Sequence, residues 1–392
     1  MANNNRIDHK KQLRTGAVKA FLLTLPMLLL TGFMMSKGQP LPKEPIHLIP
    51  FIAAYLFING IFFAMIYTGR TNRYRTILFV TYAACFVLFF ITNLIEVRGS
   101  MVLTQKDMVQ GRTPFCHMVI PMVIIPAALT KTIIFPGSML EGFASIGTML
   151  VLWFGVTLAL GRGWCSWGCF FGGMDEGFSK IGKNPVIKSI GKKWTYLPFA
   201  ILLVIVLTSA NAMYPTYCAW LCPFKAVTEF AEITSAKVLL QTVIFFSLFA
   251  GLVVVMPILT KRRTQCGLFC PMGAMQSLTN KLNVFDIRID TNNCSQCRLC
   301  VKSCPVFALD EESVRKGTTC ITCSKCGKCV EVCPNGAVSF HIKGTDVSGN
   351  ERKARLMFIY PAFFLLAIMG SSVIIGAIYR VLLLMTTGSM FK

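Results

Sequence analysis

The chain reads as a mainly α, polytopic membrane helix bundle with a small cysteine-rich domain inserted before its last span. Three observations predict this. Of 392 residues, 54% are hydrophobic and only 14% charged, against about a quarter charged in an average soluble domain. Long uncharged runs recur, rich in Phe (31) and Met (20). Seventeen cysteines fall in short regular spacings, a pattern of metal ligands rather than of a disulfide framework. Collagenous, disordered and ordinary soluble classes are excluded. The formal charge of +22 would on its own fit a nucleic-acid binder, but the hydrophobic content argues against one and no nucleic-acid partner is expected.

A membrane helix takes roughly 20 mostly apolar residues. Seven segments qualify, at about 18–36, 47–68, 76–95, 143–160, 196–213, 238–259 and 357–379. The first follows Lys10, Lys11 and Arg14 in the manner of a signal peptide. Its flank, Met35-Ser36-Lys37-Gly38, is not a small-x-small cleavage site, so an uncleaved anchor is expected. Residues 118–135 hold Pro121, Pro126 and Lys131, which suit a re-entrant segment packed against protein better than a full span.

Charge bias sets the orientation. With the N-terminus cytoplasmic, the inner loops 1–19, 69–76, 161–195 and 260–283 carry +4, +3, +4 and +4, while the outer loops 36–46, 96–142 and 213–237 carry +1, +1 and 0. The positive excess is therefore an orientation signal, and a multi-pass protein of the cell's inner membrane is expected, with membrane lipid as its surroundings. Four regions follow: 1–142, with three spans and the re-entrant segment; 143–283, a membrane core; 284–346, a cytoplasmic insert; and 347–392, the last span. No tandem repeat of 20–50 residues is apparent.

The insert carries the most specific signal. Cys294-x2-Cys297-x2-Cys300-x3-Cys304-Pro305 is followed by Cys323-x2-Cys326-x2-Cys329-x3-Cys333-Pro334. This is the bacterial two-cluster ferredoxin run, in which the fourth cysteine of each run ligates the other cluster. One [4Fe–4S] cluster is thus assigned to Cys294, Cys297, Cys300 and Cys333, the other to Cys323, Cys326, Cys329 and Cys304. A pair of zinc sites is the competing reading, but a zinc site closes with four ligands and has no use for a second complete run. Cys320 mimics the repeat out of register and is taken as a bystander thiol.

Three Cys-x3-Cys pairs sit at span ends: Cys165/Cys169 in Gly-Arg-Gly-Trp-Cys-Ser-Trp-Gly-Cys, Cys218/Cys222 in Cys-Ala-Trp-Leu-Cys-Pro, and Cys266/Cys270 in Cys-Gly-Leu-Phe-Cys-Pro. On a helical turn, residues four apart share a face, so each pair can present two thiolates together. Here the chain resembles a family of membrane polyferredoxins. The first and third strings, joined by two spans and followed by a double ferredoxin run, look like NapH-type quinol dehydrogenase subunits. The C-terminal half of NosR-type proteins and the polyferredoxin oxidase-assembly factors are similar. The likeness covers about residues 143–340. It implies an electron carrier linked to the quinone pool, or a metal reductase serving assembly. The chain departs from the NapH pattern in its three N-terminal spans, its C-terminal span, Phe170 in place of a proline, and the middle pair Cys218/Cys222.

Counting spans puts Cys165, Cys169, Cys266 and Cys270 on the inner side, as a candidate metal or Fe–S site. It puts Cys218 and Cys222 outside, where Cys116 and His117 would join them in a second candidate centre. A disulfide in an oxidising compartment and unligated thiols are the alternatives for that outer set. Arg162 either offsets the charge of a thiolate-ligated cofactor or anchors the loop. His47, Glu96, Glu141 and Lys131 lie near span ends, where interfacial solvation is the plainer reading, and Cys85 reads as a small buried apolar residue. His117 and Glu96 are weak candidates for a quinol proton acceptor, and no catalytic constellation stands out.

The function expected from these features is iron–sulfur electron transfer, with two [4Fe–4S] clusters and up to two further centres. The carrier would run between the quinone pool or an outer-side redox partner and a cytoplasmic carrier, within a respiratory-type complex. A metal-reducing or metal-delivering assembly factor and an Fe–S redox sensor are the alternatives.

Overall fold

The computed structural model describes residues 14–96, 116–117, 119–134, 137–140, 145–228, 233–345 and 351–390. Among them, seven helices are long and apolar enough to cross a membrane: Ala17–Ser36, Pro45–Thr68, Thr71–Phe90, Ile146–Trp167, Lys192–Ala212, Ala236–Thr260 and Glu351–Thr387. Each overlaps an expected segment. We label the regular elements α1 (Ala17–Ser36), α2 (Pro45–Thr68), α3 (Thr71–Glu96), α4 (Val119–Thr130), α5 (Ile146–Leu160), α6 (Phe170–Phe178) and α7 (Leu197–Ala212). The rest are α8 (Ala236–Leu248), α9 (Pro271–Thr279), β1 (Phe285–Ile289), β2 (Val338–Ile342) and α10 (Glu351–Thr387). Of these, α4 has 12 residues, about 18 Å at 1.5 Å per residue, too short to cross a hydrocarbon layer of about 30 Å. Lys131 follows it in a left-handed conformation, φ 58°, and ends the helix.

The described residues fall into two compact units, one within the bounds Met1–Phe89, Leu158–Met174 and Asn280–Lys392, the other within Phe90–Thr157 and Asp175–Thr279. In the first, α10 packs along α1 and α2 and reaches β2. Its 37 residues make a rod of about 55 Å, longer than the hydrocarbon is thick. The surplus turns carry Glu351, Arg352 and Lys353, whose charge hides them from a hydropathy reading. On these turns Phe358 stacks on Phe340 at 4.9 Å and meets Phe285 edge-on at 5.5 Å. Buried Arg355 donates to the Thr71 hydroxyl (3.0 Å) and to the Met65 carbonyl (3.2 Å). Deeper in the helices, Thr31 of α1 and Asn59 of α2 hydrogen-bond each other at 3.0–3.1 Å, so neither polar side chain is left unsatisfied in an apolar setting.

The strands β1 and β2 pair antiparallel, Phe285 opposite Ile342 and Ile289 opposite Val338, and so bring together the two ends of the inserted segment. Its short helix Lys328–Val332 presents Glu331 to the start of α3, where Oε1 accepts from the N–H groups of Asn72 (2.5 Å) and Arg73 (3.2 Å). The first N–H groups of a helix have no partner within it, and an anion there also meets the positive end of the helix dipole.

In the second unit, α4, α7 and α9 pack on one another around a core that includes Ile120, Met122, Ile205, Val206, Tyr217 and Met275. Beyond α7 the chain doubles back. The Thr216 hydroxyl donates to the Ile205 carbonyl (3.3 Å) and pairs with Ser209 Oγ (2.7 Å), while its N–H donates to the same Ser209 oxygen (3.1 Å).

Replacing Glu331 with Ala strips a cap from α3. The expected loss is about 1 kcal/mol of stability, the usual size for a helix cap. A lowered unfolding midpoint of the detergent-solubilised protein, with a smaller drop for Glu331→Gln, would register it.

Candidate iron–sulfur centres

The two cysteine runs fold alike. Gln296 and Arg298 in the first are left-handed, at φ 52° and 58°, as are Lys325 and Gly327 in the second, at φ 49° and 79°. These positions stand two and four residues after Cys294 and Cys323, respectively. Alternating handedness of this kind turns successive backbone N–H groups into a concavity that suits anionic iron–sulfur groups.

The sulfurs gather in two sets. Cys300 feels the charges of Cys333, Cys294 and Cys297. Cys323 feels those of Cys304 and Cys326, and Cys329 feels Cys323, Cys326 and Cys304 most, with Cys300 of the other set after them. The last cysteine of each run thus sits with the other run's first three. Backbone donors add to the fit: Ala308 N–H reaches Cys304 Sγ at 3.2 Å, and the N–H groups of Ala337, Asn335 and Val338 serve Cys333. Burial pushes the Cys300 thiol up to about 11 and Cys323 up to about 12. At neutral pH these thiols keep their protons until a metal displaces them. Among the described residues, no three His, Cys, Asp or Glu side chains close on a site for a single metal ion. The donor set, eight soft thiolates with backbone N–H groups aimed at them, fits [4Fe–4S] clusters.

The sets differ in exposure. Cys304, Cys323, Cys326 and Cys329 are all buried, whereas Cys297 is exposed and Cys294 and Cys333 are half-buried. The buried set lies against the turn that follows α5. Arg162 Nη1 donates to the Thr322 carbonyl (2.7 Å), and Trp167 Nε1 to the Lys325 carbonyl (3.2 Å). The Lys325 ammonium donates to the Leu160 carbonyl (3.2 Å) and to Asn280 Oδ1. Asn280 in turn donates to the Ile321 carbonyl (2.8 Å). Gly161 is left-handed, φ 57°, and a Cβ there would collide with the side chains of Asn280 and Asn283, so glycine is required. Arg162 and Lys325 are each 1% exposed. Arg162 is thus buried on the 321–325 loop, with its guanidinium turned to protein. Cys165 and Cys169 are buried in the same turn.

The third pair divides. The Cys266 N–H donates to Asp175 Oδ2 at 2.8 Å, beside an ion pair of Arg263 with Glu176 at 4.0 Å. Burial pushes the Asp175 carboxyl up to about 7, against the pull of the Cys266 N–H and of Arg263. Between the two cysteines the chain makes a π-type turn, Gln265–Phe269. Cys270 packs instead against the core around Tyr217, as do Cys116, Cys218 and Cys222. Span counting puts Cys270 and Cys218 at opposite faces, yet both border this one core. The doubling back of the chain after α7 accounts for the difference.

His117 is half-buried, and burial lowers its imidazole to about 4, so it is neutral at pH 7. His47 stacks on Tyr379 at 5.0 Å and pairs with Glu44 at 3.6 Å, while Lys131 is exposed at a helix end. Cys85 is half-buried in α3. Cys320 contacts the Ser313 hydroxyl at 3.3 Å. Glu141 and the side chain of Glu96 lie outside the described residues. Lys325 and Asn280, which hold the site together, escaped the sequence reading; a lysine inside a Cys-x2-Cys loop was the available signal.

Residues 286–334 match the 4Fe-4S dicluster domain family, and residues 142–188, 194–239 and 242–289 each match the 4Fe-4S binding domain family. The second likeness corrects the expectation of no repeat. Cys165, Cys218 and Cys266 each come five or six residues after the end of an apolar helix, at Leu160, Ala212 and Thr260, one in each matched stretch. An uncharacterized protein of Methanocaldococcus jannaschii is 27% identical over 187 residues, 45% of this chain and 71% of that protein. YccM of Escherichia coli, a protein named for electron transport, is 26% identical over 165 residues, 40% of this chain and 45% of its own length. The protein NirI of Paracoccus denitrificans is 25% identical over 235 residues, 54% of this chain and 33% of its own. The match therefore spans under half of the last two. No solved structure matches. Seven apolar helices together with 4Fe-4S domains make this an iron–sulfur membrane protein.

Two outcomes follow from the buried charges. Lys325→Met removes a cation beside Cys323 and so would disfavour the added electron in a cluster held by that set. The expected fall is at least tenfold in its reduction equilibrium, about 59 mV for a one-electron couple, read by EPR-monitored redox titration with the other cluster as internal reference. For Asp175, the folded carboxyl is pushed above its ordinary 3.8 to about 7. The folded state keeps its proton longer, so this group's contribution to stability falls as pH rises between those values and is level outside them. Asp175→Asn should remove that slope from a pH series of unfolding midpoints.

Proposed function

We propose that the chain carries electrons between the quinone pool, or an outer-side redox partner, and a carrier on the cytoplasmic side, as a subunit of a respiratory-type membrane complex. One observation carries this reading: the buried ferredoxin ligand set is seated, through Lys325, Asn280, Arg162 and Trp167, on the turn that holds Cys165 and Cys169 at the end of an apolar helix. The positive bias of loops 1–19, 69–76, 161–195 and 260–283 supports a cytoplasmic position for that domain in the inner membrane. The likeness to YccM and the NapH- and NosR-like strings support a redox role of this kind.

Bound to the eight thiolates, [4Fe–4S] clusters would supply one-electron storage whose potential the protein sets. The chain's own residues set it in identifiable ways. Arg162 and Lys325 place positive charge beside the buried set. The N–H donors of Ala308, Ala337, Asn335 and Val338 draw charge from Cys304 and Cys333. Phe358, Phe340, Phe285 and Trp167 keep water from the seam between domain and helix. Exposed Cys297, with half-buried Cys294 and Cys333, leaves the other set open to a partner in solution.

The test is reduction by quinol. Protein in proteoliposomes, mixed anaerobically with a short-chain quinol, should bleach at cluster wavelengths and develop reduced-cluster EPR signals. Clusters that dithionite reduces but quinol and an outer-side donor do not would overturn the reading. Iron transfer to a partner apoprotein in the same preparation would then favour the assembly-factor alternative.

A further inference from the structure

Four cysteines from three separate stretches of chain pack against one buried core. Tyr217 is 2% exposed, in a core shared by α4, α7 and α9, and Cys116, Cys218, Cys222 and Cys270 all pack against that core. We propose that these four cysteines form a further iron–sulfur ligand set, with Tyr217 at its face. The proposal deepens the electron-transfer reading by naming a centre within it, yet it concerns only what these residues bind.

Helix α7 is the platform on which the set is assembled. The contacts of Thr216 with Ile205 and Ser209 fold the chain back beside α7, which puts Tyr217, Cys218 and Cys222 alongside the helix instead of beyond its end. The start of α9, which packs on α7, carries Cys270, whose N–H is fixed on the Gln265 carbonyl at 2.9 Å. The third element on α7 is α4, and Cys116 stands just before it; Met122 of α4 receives the Ser209 hydroxyl at 3.7 Å.

The donors suit iron. Thiolate is its soft partner, and the surrounding core is apolar, the setting in which cluster ligands are shielded from water. All four cysteines thus border one core. Two of the stretches that supply them, 194–239 and 242–289, match the 4Fe-4S binding domain family, while Cys116 lies outside both. The third pair is shared out much as the ferredoxin runs are: Cys266 stays beside Asp175 and Cys270 leaves for another set, as Cys304 and Cys333 do.

Serine variants of the whole protein decide the matter, purified anaerobically and assayed for iron, acid-labile sulfide and EPR. Cys270→Ser, Cys116→Ser and Cys218→Ser should each lose the same single cluster's worth of iron and the same signal, with the ferredoxin signals intact as evidence of folding. A Cys270→Ser loss shared with Cys165→Ser rather than with Cys218→Ser would overturn the grouping, as would unchanged iron in Cys116→Ser and Cys270→Ser. Should a variant fail to fold, maleimide labelling of the unaltered protein serves. Cys116 and Cys270 should be protected until a chelator strips iron. Labelling before chelation, or a disulfide between two of the four, would overturn the proposal. Quinol reduction plays no part in these readouts, so failure here leaves the proposed electron route to be judged on its own test.

Discussion

A buried ammonium group holds the inserted domain to the membrane helices. Lys325 has given up nearly all its water and receives in return the Leu160 carbonyl, the Asn280 side chain and the nearby charge of Cys323. Taking a lone cation out of water costs several kcal/mol, so its partners must be in place together. Much of the neighbouring sequence follows from that demand. Gly161 leaves room for Asn280, Asn280 also pins the Ile321 carbonyl, and Trp167 takes the carbonyl of Lys325 itself. Reciprocally, four thiolates in a dry pocket need positive charge, and Lys325 and Arg162 are the buried cations nearest their loop.

The same economy governs the second unit, where polar groups at the core are satisfied locally. Thr216 and Ser209 use each other and a helix carbonyl, which lets irregular chain lie against α7 within apolar surroundings. Non-helical backbone is tolerated in apolar surroundings only when packed on protein, and here α4 and α9 supply the packing. Short α4 is therefore a wall of this core, and its 12 residues are fewer than a membrane span takes.

Much of this was legible in the sequence. Hydropathy located all seven apolar helices, because mean apolarity over some 20 positions is a strong and additive signal, though it missed ends of the fourth and the last by six to eight residues. The four-plus-four cysteine spacing identified the ferredoxin fold because two loops of fixed length leave little freedom in where the sulfurs go. Other features rest on geometry that no local pattern carries. Cys270 parts from Cys266 because a π-type turn intervenes, and helical spacing alone would have kept them together. The return of the chain at Thr216 depends on one hydroxyl finding Ile205 across a turn. Lys325 looks in the sequence like any loop charge, and only its surroundings make it a keystone. The start of α10 was masked by Glu351, Arg352 and Lys353.

That last helix has a further consequence. Since α10 runs unbroken from Glu351 to Thr387, the face that meets the ferredoxin hairpin and the face that meets α1 and α2 are angular marks on a single shaft. Each residue of an α-helix advances about 100°, so adding or deleting one residue between Phe358 and the membrane turns would rotate one mark past the other by more than a quarter-turn. Length changes in this segment are thus constrained to near-whole turns, and the helix acts as a key that fixes the azimuth of the inserted domain as well as its height.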